Sequence, residues 1–149
     1  FHPENGHVIP MLMGRIHEAK CTGRDSVAIW GTGNPMREFL DVDDLADACV
    51  HILRLDRDVL NSEISEMVSH INVGTGVDVT IRELAETLCR VIGYSGRLEF
   101  DTSKPDGTPR KLLDVSLLAR LGWQSKIDLE TGLQKTYNWY LENQATIRR

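Results

Sequence analysis

The chain has 149 residues, of which 41% are hydrophobic and 26% are charged, and its formal net charge is −5. This length suits one domain with its own hydrophobic core. The acidic balance argues against general binding to nucleic acid or to an anionic membrane, both of which need a positive field, although a local basic pocket can still hold an anion.

Three cysteines, Cys21, Cys49 and Cys89, are widely spaced and form no CxxC pair. An odd number of separated thiols is typical of a reduced, cytoplasmic protein and not of a disulfide framework. No apolar run approaches the ~20 residues that a transmembrane helix needs, and no signal peptide is visible. We therefore expect a cytoplasmic protein with no membrane partner.

The first elements alternate between helix and strand. Apolar residues at helical spacing predict a helix over residues 7–20, and a loop over 21–25 follows it. A short strand is predicted over 27–30, and the turn after it, over 31–35, is rich in glycine and proline. A second strand is predicted over 37–40.

The middle of the chain opens with a helix that starts at Asp43 or Asp44, where acidic residues suit the helix dipole. Residues 56–69 are polar and mixed, and they support no firm assignment. A strand is predicted over 70–73. The apolar face of the helix is expected to comprise Leu45, Ala48, Cys49, Ile52 and Leu53.

The last third of the chain contains the clearest helix signals. Thr80 and Glu83 form a capping box that opens a helix, and Gly93 ends it. Alternation over 97–101 predicts a half-buried strand, and 102–109 is a loop. The remaining elements are a brief strand over 111–113 and helices over 116–121 and 128–143. Strands that alternate with helices place the chain in the α/β class.

A tryptophan, a Gly/Pro turn and an arginine stand together in residues 30–37. A flat indole can stack on a nucleobase, and a guanidinium can pair with a diphosphate through two parallel hydrogen bonds. We expect the turn to bring Trp30 and Arg37 to the same end of a two-stranded unit. Taken singly, a packed tryptophan and an arginine in an ordinary salt bridge would be the better interpretation.

Four stretches, residues 7–10, 30–44, 71–76 and 103–111, together resemble the C-terminal half of the GDP-L-fucose synthases. These are NADP-dependent extended short-chain dehydrogenase/reductases that epimerise and reduce GDP-4-keto-6-deoxy-D-mannose to GDP-L-fucose. The resemblance covers essentially the whole chain. It implies one α/β substrate-binding domain over residues 1–149, including one late strand and helix of the dinucleotide-binding Rossmann half.

The resemblance also implies roles for individual residues. Trp30 would lie against the substrate nucleotide, and Arg37 would grip its diphosphate. Arg15, Asp106 and Lys111 would be further contacts to the GDP-sugar. Spacing alone would leave Arg15 as a solvated helix arginine and the other two as members of a solvated charged loop.

His7 matches a histidine that in this family approaches the NADP cofactor and has been considered as an acid/base group for the epimerisation. An imidazole suits both duties near neutral pH. Lys104 and Arg110, which lie in the charged loop over 102–109 and just after it, rank lower as substrate contacts.

No metal site is predicted. His17 and Cys21 are four residues apart and could share a helix face, but two ligands make a weak zinc site. The acidic residues at 41, 43 and 44 are better explained by helix capping. The Gly-Thr-Gly at 74–76 lacks the third glycine of a dinucleotide motif, so we expect its glycines to be structural.

The chain carries neither a G-x-x-G-x-x-G phosphate loop nor a Tyr-x-x-x-Lys pair. In the family, the catalytic tyrosine and lysine and most of the cofactor site precede the segment that this chain resembles. We therefore expect a fragment that binds and orients a GDP-sugar and has no reductase activity alone.

Two alternatives stay open. The chain could be a non-catalytic nucleotide-sugar-binding or assembly module, since the helix after Asp43 and the strand over 70–73 would expose an apolar patch that favours a homodimer or another partner. It could also be a different nucleotide-sugar epimerase or dehydratase of the same superfamily, which fits residues 30–37 and 103–111 less closely.

Overall fold

The computed structural model describes residues 7–64, 67, 70–144 and 146. Helices alternate with short strands along these residues, which confirms the α/β class. In chain order the elements are α1 (Val8–Thr22), β1 (Ser26–Trp30), β2 (Met36–Glu38), α2 (Val42–Arg54), α3 (Arg57–Glu63), β3 (Asp78–Thr80), α4 (Ile81–Ile92), β4 (Arg97–Asp101), β5 (Arg110–Lys111), α5 (Ser116–Arg120) and α6 (Leu129–Asn143).

The strands form two small sheets. β1 and β4 pair in parallel, with Ser26 opposite Arg97 and Trp30 opposite Asp101. The other sheet has the strand order β3-β2-β5. The expectation that the strands before and after the Gly/Pro turn form one two-stranded unit is therefore wrong.

The turn itself explains why β1 and β2 do not pair. Its carbonyl groups are used by the start of α4, since the backbone N–H of Ile81 donates to Pro35 O (3.0 Å) and that of Arg82 donates to Gly33 O (3.0 Å). The next N–H, that of Met36, donates to Pro109 O at 2.8 Å. These hydrogen bonds direct the turn toward α4 and toward the loop after β4, and not into a hairpin between β1 and β2.

The described residues divide into two compact units. Within the described residues, the first unit combines 7–36, 79–110 and 130–146, and the second unit combines 37–78 and 111–129. Each unit has its own buried side chains.

The core of the first unit lies where α1 packs on β1 and α4. α1 contributes Met13 and Ile16, and α4 contributes Leu84 and Leu88, all of them fully buried. The predicted capping box at the start of α4 is present, and Gly93 ends the helix in the left-handed conformation. These local signals fix the ends of α4 and so its register against α1.

The core of the second unit is small. Ala48, Leu118 and Trp123 form a buried cluster in it, and the partly buried residues around them are Leu40, Ile52, Ile71 and Val73. The Trp123 indole N–H donates to the Asp47 carboxylate at 2.9 Å. A polar group at the edge of this core is thereby satisfied.

α2 differs from its prediction at its start. It begins at Val42 and not at Asp43 or Asp44, because the Asp41 side chain caps it by accepting a hydrogen bond from the Asp43 N–H. Of the predicted apolar face, Ala48 is buried and Ile52 packs against the core, whereas Leu53 is 84% exposed. The buried face of the helix combines Ala48 with the carboxylate of Asp44.

Three further differences concern short elements. Residues 70–73 form no strand, because among the described residues no strand lies beside them to complete a ladder. α1 continues past residue 20 to Thr22 and ends at Gly23, which is left-handed. α3 and β3 were not predicted, and residues 65, 66, 68 and 69 of the unassigned stretch lie outside the described part.

Among the described residues, no helix combines the length and the hydrophobicity that crossing a membrane would require.

Candidate functional site

Trp30, one of the predicted site residues, lies at the carboxyl ends of β1 and β4, in the first unit. Because the two strands are parallel, Trp30 and Asp101 end them at the same edge. The Gly31 N–H donates to Asp101 O at 2.9 Å, so the turn after β1 leaves beside the loop that follows β4. In α/β proteins, ligands characteristically bind at this edge of a parallel sheet.

Two cations surround the indole at this edge. The Arg15 guanidinium lies 5.0 Å from the centre of the Trp30 ring, and the Lys104 ammonium lies 5.9 Å from it. Both distances are within the range of cation–π attraction. Trp30 is 50% exposed, so part of the indole remains accessible to a ligand. Lys104 was given a lower rank as a substrate contact in the sequence analysis, yet it lies next to Trp30, the main candidate.

Asp106 ties the loop after β4 to the turn after β1. One of its carboxylate oxygens accepts from the Thr32 backbone N–H at 2.8 Å, and the other accepts from the Thr32 hydroxyl at 2.7 Å. A side chain at Gly31 would collide with this carboxylate, and Gly31 is also left-handed at φ 82°. We call this pair of hydrogen bonds the Asp106–Thr32 clasp. Each oxygen keeps a lone pair for another donor, so a substrate contact by Asp106 stays a prediction.

Asp101 stabilises the start of the same loop. Its carboxylate accepts hydrogen bonds from the Ser103 hydroxyl and from the Ser103 N–H, and these bonds lower the pKa of Asp101. The Lys104 N–H donates to the Asp101 carbonyl oxygen at 3.2 Å. The backbone from which the Lys104 side chain projects is therefore fixed by local hydrogen bonds.

An open groove of about 430 Å³ extends from Trp30 along β1 and α1. Its floor is the outward face of β1, where Ser26, Ala28 and Trp30 alternate with two buried residues. Arg15 and Glu18, one helical turn apart on α1, form its rim, and Arg24 lines it as well. The sequence reasoning missed Glu18; its spacing of three residues from Arg15 is the signal that could have found it.

The remaining predicted site residues lie elsewhere. Arg37 and Lys111 belong to the second unit, on the neighbouring strands β2 and β5. Arg37 is half-buried and Lys111 is exposed. His7 precedes α1, where it is exposed and makes no side-chain capping hydrogen bond to that helix. The cofactor and acid/base roles of His7 stay predictions.

The glycines of the 74–76 motif are structural, as expected. The Glu38 carboxylate accepts from the Gly76 N–H at 2.6 Å and from the Leu113 N–H at 3.1 Å. A side chain at Gly74 would overlap this carboxylate. The motif thus forms a tight carboxylate-bound turn inside the second unit, with its backbone N–H already engaged.

Among the residues that the structure describes, no three His, Cys, Asp or Glu side chains are grouped as a metal site would need. His17 and Cys21 do share a face of α1, with Nε2 and Sγ 3.5 Å apart. The other ring nitrogen of His17 is 2.9 Å from the Tyr137 hydroxyl. Burial and the charge of Lys20 lower the pKa of His17.

Comparisons with known proteins agree with the motifs. A family model described as the NAD dependent epimerase/dehydratase family matches residues 1–74. The chain is 58% identical to a GDP-L-fucose synthase of Escherichia coli (strain K12) over 99% of its own length and 46% of that protein. It thus spans less than half the length of this curated relative. This identity confirms the resemblance to the GDP-L-fucose synthases.

Two solved structures extend the comparison. A GDP-L-fucose synthetase from Naegleria fowleri bound to NADP matches the whole chain with a TM-score of 0.81 at 28% identity, over 44% of that protein. A GDP-mannoheptose C4 reductase from Campylobacter jejuni with NADP bound matches 95% of the chain with a TM-score of 0.75 at 36% identity, over 46% of that protein.

Proposed function

Because this chain is related over nearly its whole length to the GDP-L-fucose synthases, which are extended short-chain dehydrogenase/reductases, we propose that it forms the GDP-sugar-binding part of such an enzyme. The intact enzyme would epimerise GDP-4-keto-6-deoxy-D-mannose and reduce it to GDP-L-fucose. The observation that carries the proposal is the cluster of Arg15, Lys104 and the half-exposed Trp30 at the carboxyl ends of two parallel strands.

Each side chain has a physical task in this proposal. The Trp30 indole stacks on the nucleoside, and the Arg15 guanidinium neutralises phosphate charge beside it. Arg37 and Lys111 supply further positive charge to the diphosphate, and Asp106 accepts a hydrogen bond from a ligand hydroxyl. These roles rest on the family resemblance and on the charges of the groups.

In this proposal, the chain contributes to the reaction by orienting the GDP-sugar. NADP, when bound to the intact enzyme, would supply the hydride for the C4 ketone. His7 fits a cofactor contact here, since its exposed imidazole is not engaged in capping α1. Holding the nucleotide fixed so that the ketone is correctly placed can lower a barrier by up to roughly 7–11 kcal/mol at the extreme. We place the protein in the cytoplasm, in keeping with its three free cysteines.

Titration calorimetry with GDP tests the proposal. We expect the chain to bind GDP and Trp30→Ala to weaken that binding at least about fivefold, because base–aromatic stacking is worth roughly 1–3 kcal/mol. Trp139→Ala is the matched control, since Trp139 is 51% exposed against 50% for Trp30. Equal GDP affinities of the two variants would contradict the proposal.

One observation favours a second candidate, an assembly module. α2 exposes the apolar side chains of Val42, Leu45, Val50 and Leu53, which we call its outer face. Apolar residues grouped in this way commonly mark a protein contact. A homodimer through this face predicts that Leu45→Glu shifts a sedimenting dimer to monomer, whereas Leu141→Glu, at a similarly exposed leucine of α6, does not. Sedimentation of the wild-type chain as a monomer would contradict this candidate.

A further inference from the structure

We propose that the nucleobase binds in the groove beside Trp30, and that Glu18 selects guanine there by accepting hydrogen bonds from its two neighbouring N–H groups. This inference rests on the proposed function. It adds Glu18 as a residue that determines which base is bound. Glu18 and Arg24 line the same groove as Trp30, and they offer a carboxylate and a guanidinium side by side.

The shape of the groove suits a flat ring. Ser26 and Ala28 have small side chains, so the outward face of β1 leaves room next to the indole of Trp30. Its volume of about 430 Å³ lies within the usual range for small-molecule sites. A purine that stacks against the indole would extend along this floor toward the Glu18 end of the groove.

The polar groups at that end match one base. The Glu18 carboxylate and the Arg24 guanidinium form an ion pair with a separation of 3.0 Å. The pairing edge of guanine presents an acceptor, O6, beside two donors, N1–H and the 2-amino group. Arg24 can donate to O6 while the two oxygens of Glu18 accept from the two donors. Adenine places an acceptor where guanine has N1–H, and that acceptor would face a carboxylate oxygen.

Both side chains are available for such a contact. Glu18 and Arg24 are 58% and 61% exposed, so a ligand can reach them, and an exposed ion pair of this kind costs little to rearrange. The Asp106 carboxylate, which binds the turn after Trp30, already accepts two hydrogen bonds from Thr32 and does not line the groove. Glu18 is therefore better placed than Asp106 to bind a base.

The test compares GDP with inosine diphosphate, which lacks only the 2-amino group, by titration calorimetry. We expect the wild-type chain to bind GDP at least about tenfold more tightly, since one hydrogen bond to a charged group is lost. Glu18→Gln has a single acceptor oxygen and should bind the two nucleotides about equally. Glu86→Gln, at an exposed position of α4 outside the groove, should keep the wild-type preference.

The possible failures are distinct. Equal binding of both nucleotides by the wild type, or an unchanged preference in Glu18→Gln, would overturn the role of Glu18. If Trp30→Ala still weakened GDP binding in that case, the proposed function would stand. Absence of GDP binding by the wild-type chain would overturn both.

Discussion

Asp44 shows how one buried carboxylate can organise a small core. It is 3% exposed, and its Oδ2 accepts from the backbone N–H of Lys126 at 3.0 Å and of Ile127 at 2.9 Å. We expect Asp44→Ala to lower the free energy of unfolding by roughly 1–3 kcal/mol, because it leaves these donors without a partner. Urea denaturation measures the change. Asp44→Asn keeps one carbonyl oxygen and should cost clearly less; equal losses in the two variants would contradict the hydrogen-bond explanation.

Asp47 makes the stability of the second unit depend on pH. Hydrogen bonds from Lys126 and then from Trp123 lower the pKa of its carboxyl group. A carboxyl group with a lowered folded-state pKa stabilises the fold above its unfolded pKa of about 4, and this contribution is lost as the pH falls through the folded value. We therefore expect the free energy of unfolding to fall in acid, and Asp47→Asn to make that fall shallower in urea titrations at successive pH values.

A second variant checks the cause of this pH dependence. Lys126→Met removes the larger contribution to the lowered pKa of Asp47, so it should flatten the acid limb in the same direction. The explanation fails if Asp47→Asn and the wild type lose stability in acid with the same slope.

The resemblance names Trp30 and Arg15 as contacts to the substrate, and that role stays a prediction. The structure does bring the Arg15 guanidinium within 5.0 Å of the centre of the Trp30 ring. The Asp106–Thr32 clasp was not predictable, since its residues are 74 positions apart and a hydroxyl next to a glycine gives no signal of its partner. Glu18 was missed because a glutamate on a helix is ordinarily a solvated surface residue.

At the scale of elements, the capping box of α4 is the clearest local signal. The Thr80 hydroxyl accepts from the Glu83 N–H at 3.1 Å, and the Glu83 carboxylate accepts from the Thr80 N–H at 2.7 Å. We expect Thr80→Ala to reduce the free energy of unfolding by roughly 0.5–2 kcal/mol. Thermal and urea unfolding followed by circular dichroism measure it.

Thr22→Ala is the matched control for this cap. The Thr22 hydroxyl donates back to the Glu18 carbonyl within α1 at 2.8 Å and caps no helix start. Its loss should cost less than the loss of Thr80. A smaller effect at Thr80 than at Thr22 would show that the reciprocal cap adds nothing to α4.

The helices and strands that were predicted correctly are those whose sequence signals are local. The ends of α4 follow from Thr80 and Gly93, and β4 follows from its alternation. Strand pairing is non-local, which is why the partners of β1 and β2 were predicted wrongly and why residues 70–73 were given a strand. For α2, periodicity predicts an apolar helix surface but not which part of it is covered: Ala48 is buried and Leu53 is exposed.

At the scale of the whole molecule, the composition and the alternation of elements were enough to predict the fold class, and the family motifs predicted the relatives.

The last prediction concerns the reductase activity of this chain alone. We expect no oxidation of NADPH by this chain with GDP-4-keto-6-deoxy-D-mannose, because it has no Tyr-x-x-x-Lys pair to handle the carbonyl proton. Absorbance at the reduced-nicotinamide band measures this in a preparation free of full-length enzyme. Turnover in such a preparation would contradict the proposal.

The Asp106–Thr32 clasp constrains how this protein can be re-engineered. A loop exchanged over 102–109 to accept a different sugar nucleotide would keep this anchor only if it retained an aspartate opposite Thr32 and Gly31. Substitution libraries should therefore vary these two distant stretches together, since changing Asp106 alone removes both hydrogen bonds.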